Sequence, residues 1–247
     1  SGGLSVFDLL GQAIHMGDDG HSRHKAASSL LANAIAPYLV GTGPSEDVTR
    51  ALQFLAQNDI FFLPVTMAAA KSAMLAAEGI PGASVVTCMA ANGVRFGIKM
   101  SGSAGEWSTA PVPEIQGRYF EGYGAADASP VIGDSEIAET FGLGAFALAA
   151  APALAAYVGG TPADATRLSQ EMYAVTLAEH PRFKIPALSY RGTPFGLDAR
   201  RVVERNIEPI FNTGIAHRQP GIGQIGAGFG HAPLACFEAA LKALRPY

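Results

Sequence analysis

Apolar residues fall at helical spacing from the start of the chain, where Leu4, Phe7, Leu9, Leu10 and Ile14 predict a short amphipathic helix. A second helical pattern runs over 25–39 and is stopped by Gly41-Thr42-Gly43-Pro44. Ser45 followed by Glu46 and Asp47 marks a helix start, because a serine oxygen can accept from an otherwise unpaired first-turn amide. The helix it opens reaches about Gln57, and residues 61–78 predict another, long and apolar, with one cation at Lys71. The pattern changes at Ser84. Runs rich in β-branched residues over 85–89 and 94–100 flank Asn92-Gly93, the strongest short signal for a hairpin. Residues 107–110 predict a third short strand, and 111–130 a loop punctuated by glycine and proline.

Residues 131–160, VIGDSEIAETFGLGAFALAAAPALAAYVGG, predict the element around which the chain is organised, a buried central helix. Asp134 or Ser135 is its expected N-cap, and Glu136, Glu139 and Thr140 would share one face of its first turn. The pattern fits a capped core helix and equally a helix whose polar N-terminus opens into a site. Residues 141–158 carry no charge and approach the minimum length of a membrane span, but Pro152, the excess of Ala and Gly, and the lack of flanking cations favour the core. Thr161-Pro162 starts a helix expected to run to Glu179. Strands are expected over 184–188 and 210–216, with helices over 198–206 and 232–244. The expectation is one helix-rich α+β domain spanning 1–247, a β-hairpin and a few further short strands surrounding the central helix.

Composition narrows the partners. Hydrophobic residues make up 49% and charged ones 15%, which excludes disorder and predicts that some surface is hidden in a homo-oligomer. The net charge of −4, without any Lys/Arg run, argues against nucleic acid. Cys88 and Cys236 lack metal-ligand spacing and sit in apolar company, as buried thiols of a reducing compartment do. No basic segment followed by an apolar one opens the chain, so a cytoplasmic protein without a signal peptide is expected.

Chemistry concentrates in a few polar loops. Residues 15–24 hold three histidines, two aspartates and an arginine, making His15 and His21 acid/base candidates with Asp18 beside them. His15, His21, His24 and Asp18 are also metal-ligand types, but their spacing matches no standard site, and no metal or other cofactor is expected. Gly221, Gly223 and Gly226 spell G-x-G-x-x-G too near the chain's last residue for a βαβ unit to follow. What remains is a glycine loop, through Gly228, that exposes amides beside His217 and Arg218 and suits an anion. Residues 191–198 form a third candidate, with Asp198 also placed to cap the helix after it. Asn92 with Arg95 at the hairpin tip, and Asp134 with Ser135 at the central helix, complete the anion-binding candidates. No G-x-S-x-G elbow, P-loop, H-E-x-x-H or CxxC is present, so standard hydrolase, kinase and zinc-enzyme classes lack support.

Four segments together, HMGDDGH (15–21), ANGVRFGIKMSG (91–102), IGDSEIAETFGLGAFA (132–147) and NTGIAHRQPGIGQIGAG (212–228), resemble the YlbE/YahG-like family. Its members are longer, and the resemblance implies that this chain matches their C-terminal portion, a compact variant or one piece of a split protein being the alternatives. The resemblance further implies work with FdrA-like and YlbF-like partners in oxamate carbamoyltransferase activity during purine (allantoin) breakdown, on small anionic substrates bearing carboxylate or phosphate. By chemical suitability, His15, Asp18, His21 and Glu139 are then proton-transfer candidates, while the glycine loop with His217 and Arg218 serves the anion. An amidohydrolase on a similar amide and a non-catalytic scaffold are the alternatives. In a chain with so few charges, burying polar groups separately would need separate partners, so His15, Asp18, Glu139 and Arg218 are expected in one cleft.

Overall fold

In a computed structural model the protein is described over residues 3–43, 45–156 and 160–244. It is an α+β fold, as its hydrophobic pattern predicts. Helix α1 (Val6–His15) is capped by Ser5. It is followed by α2 (Lys25–Gly41), α3 (Glu46–Gln57), whose cap Ser45 accepts from the amides of Asp47 and Val48, and α4 (Leu63–Leu75). Strands β1 (Val86–Asn92) and β2 (Arg95–Met100) form the expected hairpin, β3 (Trp107–Pro111) adds to β2, and two-residue β5 (Ile132–Gly133) adds to β1.

The loop expected over 111–130 contains a further strand, β4 (Gln116–Tyr119). The expected helix over 162–179 stops early, as α6 (Pro162–Met172), capped by Thr161. β-Branched Val175 and Thr176, which favour extended backbone, then lead into β6 (Thr176–Ile185), paired with β7 (Arg191–Leu197). Residues 186–188, expected to continue a strand, are a short 3-10 turn. Asp198 caps α7 (Ala199–Arg205), its Oδ1 accepting from the Arg201 amide at 2.9 Å. β8 (Ile210–Ala216) matches expectation, and α8 (Leu234–Ala243) closes the described chain. The glycine-rich stretch before α8 is a strand, β9 (Gln224–His231), lying between β4 and β8.

The central element is buried as expected but is not one long helix. Ile137–Thr140 forms a single α turn, α5, followed by 3-10 stretches Gly144–Ala150 and Pro152–Ala156. Gly142 (φ +79) and Gly144 (φ +61) take left-handed backbone between them, which a continuing α-helix cannot contain. Tyr157, Val158 and Gly159, part of the expected helix, lie outside the described residues. The segment separates two apolar clusters and feeds both. Ala145, Phe146 and Leu148 pack with Phe96, Phe211 and Phe237 on the sheet side. Ile137, Phe141 and Leu143 pack with Leu10, Ile14 and Phe183 on the α1 side. Phe96 and Phe211 stack at 5.1 Å and join the β1–β2 sheet to the β8–β9 sheet. No helix among the described residues is long and apolar enough to cross a membrane.

Candidate functional site

The loop between α1 and α2 is folded by its own aspartates. Asp19 Oδ1 accepts from the amides of His21 (3.1 Å), Ser22 (3.0 Å) and Arg23 (2.9 Å), an arrangement available to a short carboxylate facing a turn. Its Oδ2 accepts from Asn212 Nδ2 at 2.7 Å, tying the loop to β8. Asp18 Oδ2 accepts from the Ala27 amide at 2.8 Å, placing a carboxylate at the start of α2, and its Oδ1 lies 3.4 Å from Arg23 Nε. His24 Nε2 donates to the His21 carbonyl at 3.0 Å. Burial holds the His24 ring well below its ordinary value, at about 4, so it is neutral.

Across from this loop, α5 delivers Glu139. Both carboxylate oxygens meet His21 Nδ1, at 2.8 and 3.0 Å. Glu139 Oε1 also accepts from the amides of Ala145 (3.0 Å) and Asn212 (3.1 Å). One fully buried carboxylate therefore joins three segments distant in sequence: the first loop, the central element and β8. Burial pulls the His21 pKa down, but the Glu139 charge and hydrogen bond, with Glu136 and Asp19 adding to them, outweigh it and push the ring up to about 9. The imidazolium is thus the form at neutral pH. Glu139 occupies Nδ1, so any proton the ring exchanges would pass through Nε2, while the ring itself is buried and the cavity beside it is lined from Ser22 onward.

This charge makes stability depend on pH in a defined direction. A raised folded-state pKa contributes stability that is complete below the ordinary 6.5 and is lost as pH rises through about 9. Unfolding free energy measured by urea titration is expected to fall across that window. A His21→Asn variant should lose the His21 share of this slope, leaving only the part due to the raised Glu136 carboxyl, and an unchanged slope would contradict the assignment.

Beside the pair is a cavity of about 250 Å³ lined by Ser22, Arg23, Leu154, Asn212, Gln224, Ala227 and Gly228. Asn212 Oδ1 is buried without a hydrogen-bond partner among the described residues, while half-buried Arg23 supplies a guanidinium. The wall therefore offers a cation, a hydroxyl and an amide acceptor one residue beyond His21, which suits a small polar anion carrying N–H donors.

The structure brings together His21 and Glu139, with Gly228 in the cavity wall, but the single cleft expected for His15, Asp18, Glu139 and Arg218 does not form. His15 ends α1 exposed, its ring edge-on to Tyr190 at 5.5 Å. Asp18 belongs to the same loop as His21 but serves the start of α2. Arg218 is exposed and lines a separate, larger cavity of about 580 Å³ with Tyr119, Ile132 and Gly214. His217 Nδ1 accepts from the Gln219 amide at 2.8 Å, and its ring meets Tyr123.

The glycine loop is not an amide nest throughout. Gly223 makes a turn at φ +89, whereas Gly226 and Gly228 lie within β9, where any Cβ would strike the carbonyls of Arg118 and Gln116 in β4. Asn92 Oδ1 accepts from the amides of Val94 and Arg95, and Arg95 Nε donates to Thr109 Oγ1 at 2.8 Å, so both shape and brace the hairpin. Asp134 and Ser135 do not cap α5. Glu136 occupies the N-cap position, and only the backbone carbonyls of Asp134 and Ser135 accept from the turn. The sequence pattern gives Asp19, Arg23, Glu136 and Asn212 no individual role, although Glu136 is expected beside Glu139 and the first two fall in the polar loop. Asp19 had a local signal, a carboxylate followed by a glycine turn, while Asn212 had none beyond its place at the head of a motif.

Among the described residues no group of three or more His, Cys, Asp or Glu side chains could hold a metal ion. The geometry therefore defines a protein with a buried acid–base pair beside a small polar pocket. The chain belongs to the family described as oxamate carbamoyltransferase subunit AllG, whose sequence profile matches residues 1–135. It is 45% identical over 244 residues to the oxamate carbamoyltransferase subunit AllG of Escherichia coli strain K12, covering 98% of this chain and 58% of that one. It is 46% identical over 234 residues to the uncharacterized protein YahG of the same organism, covering 94% and 50%. A crystal structure of a conserved protein of unknown function from Enterococcus faecalis V583 superposes with a TM-score of 0.94 at 45% identity, over 98% of this chain and 58% of that one. The YlbE/YahG-like resemblance is borne out, and the chain spans 50% to 58% of the length of these curated relatives.

Proposed function

We propose that this chain forms part of an oxamate carbamoyltransferase and holds a small carboxylated amide in the pocket between the α1–α2 loop and β8–β9. The observation that carries the reading is the His21–Glu139 pair, locked at 2.8 Å and joined through the Asn212 amide to the pocket wall. In the reaction, a phosphate oxygen bonds to the carbamoyl carbon of oxalurate, the carbon–nitrogen bond to oxamate breaks, and the departing nitrogen takes a proton. His21, charged at neutral pH, supplies that proton from Nε2, and Glu139 stabilises the ring in either state. Arg23 faces the substrate carboxylate, and the free Asn212 Oδ1 accepts an amide N–H. The same chemistry with water as acceptor would be an amidohydrolase, and omitting phosphate separates the two.

A scaffold role is favoured by the apolar side chains that α2 and α3 leave exposed, Tyr38 (73%), Val40 (62%) and Phe54 (55%), which suit contact with further subunits or a second copy. Phosphate-dependent oxalurate cleavage by complexes reconstituted with variants of this chain separates the two. Arg23→Gln is expected to lower turnover tenfold or more, about 1.4 kcal/mol of barrier, in a complex that still assembles. Unchanged turnover for both Arg23→Gln and His21→Asn would leave the scaffold reading standing and the catalytic one refuted.

A further inference from the structure

The segment that supplies Glu139 also supplies Glu136, three residues earlier, so the two carboxyls lie on neighbouring positions of one face. Glu136 is fully buried, and neither of its carboxyl oxygens has a hydrogen-bond partner among the described residues. An ionised carboxylate is costly in such a place, whereas a neutral acid is tolerated. Three charged groups face it: His21 from the loop after α1, and Glu139 and Asp134 from its own segment. The other elements packed on α5 are α4, β1, β7 and the following 3-10 stretch. β1 and that stretch carry no charge. Lys71, the single charge of α4, is paired with Glu78 at 2.7 Å, and Arg191, the single charge of β7, with Glu179 at 2.7 Å.

We propose that Glu136 holds a proton beside the His21–Glu139 pair and, by keeping or releasing it, sets how firmly His21 keeps its own. Glu136 is a positioning residue that acts through His21. With Glu136 neutral, the imidazolium faces one carboxylate and is the stronger acid. With Glu136 ionised, the imidazolium lies in the field of two carboxylates and its proton is held more tightly. Burial pushes the Glu136 carboxyl up to about 7, with the His21 charge offsetting part of that effect, so the exchange falls in the range where an enzyme works. The proposal deepens the reading of His21 as the proton donor. Its test is made on the protein without substrate, so its failure is distinct from failure of the carbamoyl-transfer reading.

The test follows the carbon-bound ring proton of His21 by NMR from pH 5 to pH 10. The wild-type resonance is expected to show two inflections, one at about 7 as Glu136 ionises and one at about 9 for the ring itself. In Glu136→Gln, close in shape and permanently neutral, the lower inflection should vanish and the upper move down, with proton affinity reduced at least about threefold. A single inflection in the wild type overturns the proposal, as does a lower inflection that persists in Glu136→Gln. Should that variant fail to fold, the wild-type titration decides alone.

Discussion

Glu139→Ala is expected to remove most of the protein's net stability. Removing one partner of a buried ion pair strands the other charge at a cost of about 3–5 kcal/mol, against about 5–15 kcal/mol of total stability for a typical domain. Here the stranded charge is His21, fully enclosed at Nδ1, and the amides of Ala145 and Asn212 lose their acceptor together. Buried amides left without a partner each add a further about 1–3 kcal/mol. Glu139→Gln keeps the shape and one carbonyl acceptor, so it should cost less, while bringing the His21 midpoint down from about 9 toward its ordinary range. Urea denaturation checks the first expectation and ring-proton NMR the second. A loss below about 1 kcal/mol in Glu139→Ala would mean that the carboxylate is not the tie the geometry describes.

What could be read from sequence was decided locally. The caps Ser45, Thr161 and Asp198 and the Asn92-Gly93 turn act within a few residues, and each stands where its chemistry puts it. Two of the strands that the sequence does not show are rich in glycine: β9 reads QIGAGFGH and β7 reads RGTPFGL. Glycine is poor in strand propensity, so both look like loops until their neighbours are known. The neighbours supply the reason, because β4 runs so close to Gly226 and Gly228, and β6 to Gly192, that only a residue without Cβ fits. Burial of the central element was readable from its uncharged run, but its break at Gly142 and Gly144 was not. The same division holds in the site. His21 and Glu139 were visible as chemical types, whereas their pairing across 118 residues and the contribution of Asn212 depend on how the sheet meets the loop.

Gly144→Ala is expected to damage the site and the fold together. Gly144 has φ +61, a left-handed conformation that costs a non-glycine residue about 1–2 kcal/mol. A Cβ at this position would meet Glu139 directly, at 2.7 Å from Cδ, and would lie 2.9 Å from His21 Cβ. Neither neighbour is a loose end. Glu139 is held by His21 and two amides, while the Gly144 amide itself donates to the Asp19 carbonyl at 2.7 Å. Relief therefore requires pushing the carboxylate away from the imidazolium or opening the turn, and forcing extra volume into a packed core costs about 1–3 kcal/mol more. The combined expectation is a loss of about 2–5 kcal/mol by urea denaturation. In folded variant, the His21 midpoint should fall below its wild-type value of about 9, because distance weakens the Glu139 charge that raises it. Gly221→Ala is the matched control, since Gly221 also has positive φ, +88, but nothing lies within 4 Å of its Cβ position. It should show the backbone cost alone, with the His21 midpoint unmoved. Equal losses in the two variants, or an unshifted midpoint in Gly144→Ala, would show that the close approach of the central turn does not hold the acid–base pair in place.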